Sequence, residues 1–417
     1  MTAVSKHILA GLLGAVFLSL PARSADGPWP QWRGPHRDDN STETGLLEAW
    51  PETGPPRLWL FKDCGIGYSG PAIVANRLFI LGARDGQELL ISLDVSQGKE
   101  LWAVPLGPIY ENKWGDGPRS TPTVEGEFVY AMAARGNLTC LRVDGGSIVW
   151  QTAMQDLGGQ LPGWGYSESP LIHEEKILCT PGGAQGAIAA LDKTTGKLLW
   201  QTSELTDVAH YASIVVTDQA DSAIGVQLLV SQLVAFRVAD GEVLWSVPWP
   251  GNVAVVPTPI VWQDHVYVTS GYGAGCMLVP LHNDTSVEPV YDNKLMVNQH
   301  GGVIRIGKNL YGYSDGKGWI CQDIATGKMK WREKKALGKG AIGYADDRFY
   351  CITEDEGHVV LIDASEQGWH ENGRFTLEPQ TELRKPSGKI WTHPVIADGR
   401  LYLRDQELLF CFDVEAH

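Results

Sequence analysis

Four stretches decide the fold: LDVSQGKELW (Leu93–Trp102), LRVDGGSIVW (Leu141–Trp150), LDKTTGKLLW (Leu191–Trp200) and FRVADGEVLW (Phe236–Trp245). Each runs from apolar residues through a polar, glycine-bearing turn to a terminal tryptophan, and QDIATGKMKW repeats the pattern up to Trp331. The first four tryptophans recur at intervals of about 45–50 residues, the period range of propeller blades, and Trp331 follows after about twice that distance. One unit with an eroded ending therefore lies between Trp245 and Trp331, visible as PTPIVWQDHVYVTSGYGAGCMLVPL (Pro257–Leu281). Aligning unit starts on Pro71, Pro122, Pro170, Ser213, Pro259, Gly302, Ala341 and Pro394 yields eight copies.

Within a copy, runs such as TPTVEG, FVYAMA, NLTCLRVD and SIVWQT alternate in polarity and are rich in β-branched and aromatic residues. Four short strands per copy predict an all-β, eight-bladed propeller with four-stranded antiparallel blades. The last copy, Thr392 to Asp413, lacks a tryptophan-bearing fourth strand, and Arg57–Phe61 (RLWLF) carries that strand's pattern. It is expected to complete the last blade and to remove a free edge.

The chain divides into a leader at 1–24, an N-terminal extension at 25–56 and the propeller at 57–417. Lys6 and His7 precede the apolar run Ile8–Leu20, and the small residues Ala22 and Ser24 follow. Such a run is too short to span a bilayer and suits a cleavable signal peptide, which implies a periplasmic or secreted protein with no transmembrane segment. No cysteine follows the cleavage region, so no lipid anchor is expected. The formal charge of −15, without a Lys/Arg cluster, argues against nucleic acid and anionic membrane surfaces as partners.

Cys140, Cys321 and Cys411 share one repeat position and Cys179 and Cys351 another, so these five read as buried free thiols. The blade-ending tryptophans Trp59, Trp102, Trp150, Trp200, Trp245 and Trp331 read as scaffold that docks neighbouring blades.

Function is sought where the repeats stop agreeing. One residue before each aligned start stand Gly70, Thr121, Ser169, Ala212, Thr258, Gly301, Gly340 and His393, nearly all small, as crowding at a propeller axis requires. The two residues before these should ring one mouth of the central channel. They supply Arg119, Glu168, His210, Tyr211, His300, Lys339 and Trp391, and the preceding glycine-rich loops add Trp114 and Trp164. These nine are the expected ligand- or partner-binding residues. No catalytic or metal-ligating residue is assigned: HExxH and phosphate-loop patterns are absent, and the GxSxG match at Gly312–Gly316 falls on an Asp-Gly turn between strands, where a nucleophile elbow needs a strand-to-helix turn.

The blade ending resembles the pyrroloquinoline-quinone (PQQ) propeller repeat, shared by quinoprotein alcohol dehydrogenases and by the periplasmic lipoprotein of the outer-membrane barrel-assembly machinery. WPQWRGP (Trp29–Pro35), GYSESPL (Gly165–Leu171), CTPGG (Cys179–Gly183), GYSDGKGW (Gly312–Trp319) and LYLRDQ (Leu401–Gln406) are similar to exported PQQ-like propellers of planctomycete-type bacteria. The dehydrogenase resemblance implies PQQ and calcium, with Glu168 as a calcium ligand, Arg119 or Lys339 against quinone carboxylates and Trp391 on the quinone plane. This chain lacks the vicinal cysteines of those enzymes, and no Asn or Asp falls on the aligned rim. The residues leave open a non-catalytic scaffold that binds a protein or polymer at the mouth, a PQQ-dependent dehydrogenase of an alcohol or sugar, and a small-polar-ligand binder or an enzyme of unrecognised chemistry. The scaffold is the leading expectation.

Overall fold

The computed structural model describes residues 28–219, 222–281 and 287–417, so the leader read into residues 1–24 lies outside the described residues. Eight four-stranded antiparallel sheets make an eight-bladed β-propeller; a short 3-10 turn, Met154–Leu157, is the sole helical element among the described residues. Blade 1 comprises Ala72–Val74, Arg77–Arg84, Gln87–Asp94 and Lys99–Pro108, and blades 2 to 7 follow the same order from Thr123 to Thr376. Blade 8 takes Val395–Ala397, Arg400–Asp405 and Leu408–Asp413 from the C-terminal end, and Arg57–Phe61 pairs antiparallel with Leu408–Asp413 as its outermost strand.

Period-two alternation explains the sheets. In blade 2, Tyr130, Met132, Leu138 and Cys140 face blade 3, whereas Val129, Ala131 and Leu141 face blade 1. Because both faces of every sheet are covered, the core is split into eight apolar clusters, one in each gap between adjacent blades. All seven cysteines are free and buried in this packing.

The repeated motif has a direct structural meaning. In each turn the glycine donates its amide to the carbonyl four residues earlier, as in Gly98 to Asp94, Gly196 to Asp192 and Gly327 to Asp323. That geometry places the glycines at positive φ, +63° at Gly98 and +68° at Gly196, where side chains are disfavoured. The previous blade's tryptophan then lies against the bare glycine: a Cβ on Gly196 would stand 2.5 Å from the Trp150 ring, and one on Gly146 2.7 Å from Trp102. The indole Nε1 donates to a backbone carbonyl beside the same turn. Trp59 reaches Val95 O (2.9 Å), Trp102 Val143 O (3.2 Å), Trp150 Lys193 O (3.1 Å), Trp200 Val238 O (3.1 Å) and Trp331 Ser365 O (2.8 Å). In the eroded fifth unit Tyr291 takes this role, its ring packing on Gly327 and its hydroxyl donating to Ile324 O at 2.8 Å.

The first strands of neighbouring blades touch around the axis. Here the small residues are needed, since a Cβ on Gly301 would collide with the Gly340 carbonyl. Hydroxyls link the ring sideways: Thr121 N donates to Ser169 Oγ (2.9 Å) and Ser169 N to Ser213 Oγ (3.1 Å).

Residues 28–47 cross this axis. Trp29 pairs with Ile73 of blade 1, Pro30 O accepts from Val124 N of blade 2, Ser41 N donates to Tyr344 O of blade 7, and Leu46 bridges to Glu415 beyond blade 8. A tight turn with Arg33, Arg37 and Asp39 at positive φ folds the segment back on itself, and Gly34 leaves room for the Trp29 ring, 3.0 Å from where its Cβ would be.

Replacing a docking tryptophan opens a cavity between two sheets. The Trp150→Ala variant is expected to lose about 3–5 kcal/mol of stability, and Gly196→Ala is expected to destabilise through both the collision and the positive φ; denaturant titration of each variant checks this. The seven thiols are expected to stay unreactive toward a thiol reagent in native buffer and to become fully reactive in denaturant.

Candidate functional site at the propeller mouth

A cavity of about 370 Å³ occupies one mouth of the channel, a volume within the range of small-ligand pockets. Its floor is the crossing N-terminal segment, which contributes Trp32 and Arg33. Its walls come from the loops leading into the first strands. Arg119, Tyr211, His300, Trp391, Trp114 and Trp164 all line it, together with Tyr68, Tyr272 and His393.

The loops are tied to one another, which fixes these side chains. Tyr110 Oη and Asn112 Nδ2 both donate to Gly163 O, at 2.7 and 2.8 Å, joining the loop into blade 2 to the loop into blade 3. Lys385, from the loop into blade 8, reaches back to Asp116 Oδ1 at 2.7 Å. The Arg119 guanidinium donates to Gly117 O and Gly115 O, both at 2.6 Å, and lies over the Tyr68 and Tyr110 rings at 5.3 and 5.6 Å. Burial lowers its pKa, against the upward pull of Tyr68 and Tyr110. His300 stacks on Trp391 with centroids 4.9 Å apart, and Tyr68 approaches Trp391 at 5.1 Å. Burial, reinforced by Lys339, His393 and Arg119, pushes the His300 pKa down to about 3, so the imidazole is neutral at ordinary pH; its Nδ1 has no hydrogen-bond partner.

Beneath the cavity lies a buried polar network. Arg33 donates to Asp39 Oδ2 (2.7 Å) and Val303 O (2.6 Å), and His393 bridges Asp39 Oδ2 (3.1 Å) to the His300 carbonyl (2.7 Å). Burial alone would raise the Asp39 pKa, but Arg33 and His393 outweigh it and hold the carboxylate ionised.

Three of the nine expected site residues do not line the cavity. Glu168 is turned into the wall, where Thr180 N and Oγ1 donate to its two oxygens at 2.7 and 3.1 Å and Gln227 Nε2 approaches at 3.4 Å. Its repeat equivalents Ser69 and Ser120 are likewise buried, and the cavity-facing residue of blade 3 is its neighbour Ser167. His210 packs behind Tyr211 (5.1 Å), its Nδ1 accepting from Val255 N at 3.3 Å. Lys339 is drawn sideways to Asp315 at 2.8 Å and to Gln299. Sequence reasoning passed over Trp32, Arg33, Tyr272 and His393 as site residues. His393 carried a usable signal, being the one large residue in the small-residue ring; a Cβ on Gly302 would stand 2.6 Å from its Cε1.

The ligand set implied for PQQ and calcium does not assemble here. Both Glu168 oxygens are engaged inside the wall, Lys339 is paired elsewhere, and the Trp391 ring already contacts His300 and Tyr68. Among the described residues no group of three or more His, Cys, Asp or Glu is placed to hold a metal ion.

Eight blades, with an aromatic ring docked on a turn glycine at five of their junctions, define a β-propeller of the PQQ-repeat type. The chain belongs to the PQQ_2 family, described as "Outer membrane protein assembly factor BamB", which residues 85–333 match. It is similar to the "Outer membrane protein assembly factor BamB" of Burkholderia pseudomallei (strain K96243), with 21% identity over 389 residues that cover 89% of this chain and 91% of that protein. Among solved structures it resembles BamB from Moraxella catarrhalis, with a TM-score of 0.61, 14% identity, and 86% of this chain and 99% of that one covered. It also resembles quinohemoprotein alcohol dehydrogenase from Comamonas testosteroni, with a TM-score of 0.63, 12% identity, and 94% and 81% covered. At such identities these two structures share the fold.

Burial raises the Glu168 pKa to about 7 from 4.5, against the lowering pull of Thr180 and Arg37. A raised carboxyl favours the native state while protonated, so its contribution is present below about pH 4.5 and is lost as pH rises towards 7. The upper bound on this loss is about 3 kcal/mol. Chemical denaturation of the wild type and Glu168→Gln at a series of pH values is expected to show a stability difference that shifts in favour of the variant between pH 5 and 7.

Proposed function

We propose that this protein is a non-catalytic binding scaffold that holds a protein or polymer partner at the mouth lined by Trp114, Trp164, Arg119 and Trp391. The observation that carries this reading is the blind, aromatic-walled cavity: the crossing segment closes it below, and loops from different blades rigidify its rim. A site of this form supplies apolar contact area on side chains that lose little freedom on binding. The basic groups Arg33, Arg119 and Lys389 are held by internal partners, which suits holding rather than proton transfer. Membership of a family described as an outer membrane protein assembly factor supports a partner among exported macromolecules. Export itself, read from the leader, belongs to this proposal, as does a periplasmic place of work.

Site-specific photo-crosslinking in the native cell tests it. A crosslinker at Lys113, beside Trp114 on the rim, is expected to yield a discrete high-mass adduct, whereas one at Lys197, on the turn between the outer strands of blade 3, is not. Equal labelling from both positions, or none from Lys113, contradicts the proposal.

A further inference from the structure

Seven side chains lining the cavity are Trp or Tyr, and they come from different parts of the chain: the crossing segment (Trp32), the loops into the blades (Trp114, Trp164, Trp391) and a turn within blade 5 (Tyr272) among them. Such convergence is not demanded by blade packing, which uses a separate set of tryptophans at the blade ends. Trp114 and Tyr272 are 38% and 41% exposed, so apolar ring surface is left open to solvent at the mouth.

The polar groups among these rings decide what can lie on them. Arg33 is matched by Asp39, Arg119 is held by two backbone carbonyls, and Lys389 is paired with Asp355. Trp32 Nε1 is satisfied by Thr258 Oγ1 at 3.0 Å. The two lining charges without an ion-pair partner, Arg119 and Glu354, are opposite in sign, and the overall charge of −15 disfavours a polyanion. The lining groups left to meet a ligand's polar atoms are scattered: the hydroxyls of Tyr272 and Ser387 and the carboxyl of Glu354.

Resting on the mouth-binding reading above, we propose that the cavity is a site for a neutral glycan, with pyranose rings laid against Trp164 and Trp114. A pyranose presents C–H groups with partial positive charge on one face, which pack on the electron-rich face of an aromatic ring. Its rotatable hydroxyls can meet isolated acceptors and donors one at a time. An extended polypeptide fits less well, because each buried residue brings a backbone N–H and C=O that need partners. The innermost strands that could supply them are partly taken below by the crossing segment at Ile73 and Tyr344.

The test is isothermal titration of the intact protein, with tryptophan fluorescence in parallel, against neutral hexasaccharides of β1,4-linked glucose, β1,4-linked mannose and α1,4-linked glucose. A galacturonate hexamer and a reduced, carboxymethylated polypeptide serve as comparators. At least one neutral saccharide is expected to bind saturably with a fluorescence change, and Trp164→Ala or Trp114→Ala to weaken it about tenfold or more, roughly the loss of one stacking contact. Both variants should melt as the wild type does, since these rings stand at the rim; were one to misfold, the other carries the test. The inference is overturned if no neutral saccharide binds at about 10 mM, if the acidic hexamer or the polypeptide binds in preference, or if both tryptophan variants bind as the wild type. Protein adducts from Lys113 without saccharide binding would overturn this inference alone and leave the scaffold reading standing.

Discussion

The structure depends on the contact between a tryptophan at the end of one blade and a glycine in the turn of the next. Neither residue works alone. The glycine must adopt positive φ to donate the turn's hydrogen bond, and its missing side chain leaves a flat backbone surface on which an indole can lie. The indole covers that surface with apolar area and satisfies its own N–H on an adjacent carbonyl. This contact recurs at four junctions, with Tyr291 in the tryptophan's place at a fifth, and sets the angle between those sheets, while eight apolar clusters fill the gaps between blades.

Fixing the angle fixes the axis. First strands driven together at the centre admit only small residues or none, so the ring at Gly301 and Gly340 is a consequence of blade docking. The channel that remains is crossed by residues 28–47, which bring Arg33, Arg37 and Asp39 into the interior. Buried charges require partners. Arg33 finds Asp39 and Val303 O, while Arg37 finds Gln31 and the carbonyls of Ser169 and Pro170. The crossing segment is thereby bonded to strands of several blades, and it converts an open channel into a blind cavity at one mouth.

The architecture was legible because the docking contact has a linear signature: glycine and tryptophan recur at fixed spacing, and small residues recur at the axis. Blade 5 was harder to read because Tyr291 performs the docking on a short final strand, Tyr291–Asn293, so the expected tryptophan is missing while the contact persists. The rim was legible only in part. Repeat alignment places backbone positions around a mouth, but it does not say which of two consecutive side chains faces the opening. In blades 1 to 3 that residue is the earlier of the pair, Tyr68, Arg119 and Ser167, and the later one, including Glu168, is buried in the wall. In blade 4 the order reverses, with Tyr211 at the cavity and His210 behind it. The contribution of Trp32 and Arg33 could not be read from the repeat because they lie outside it, and the pairing of Arg33 with Val303 joins residues far apart in sequence.

The central claim is that the crossing segment is an integral part of the propeller axis and gives the molecule a single aromatic cavity floor. Native-state hydrogen exchange measures this directly. The amides of Trp29 and Ser41, bonded to Ile73 O and Tyr344 O, should exchange as slowly as those of the central strands Gln87–Asp94 and Arg348–Thr353, because opening them requires opening the axis. Exchange of these two amides at the rate of an exposed loop, while the central strands stay protected, would contradict the account.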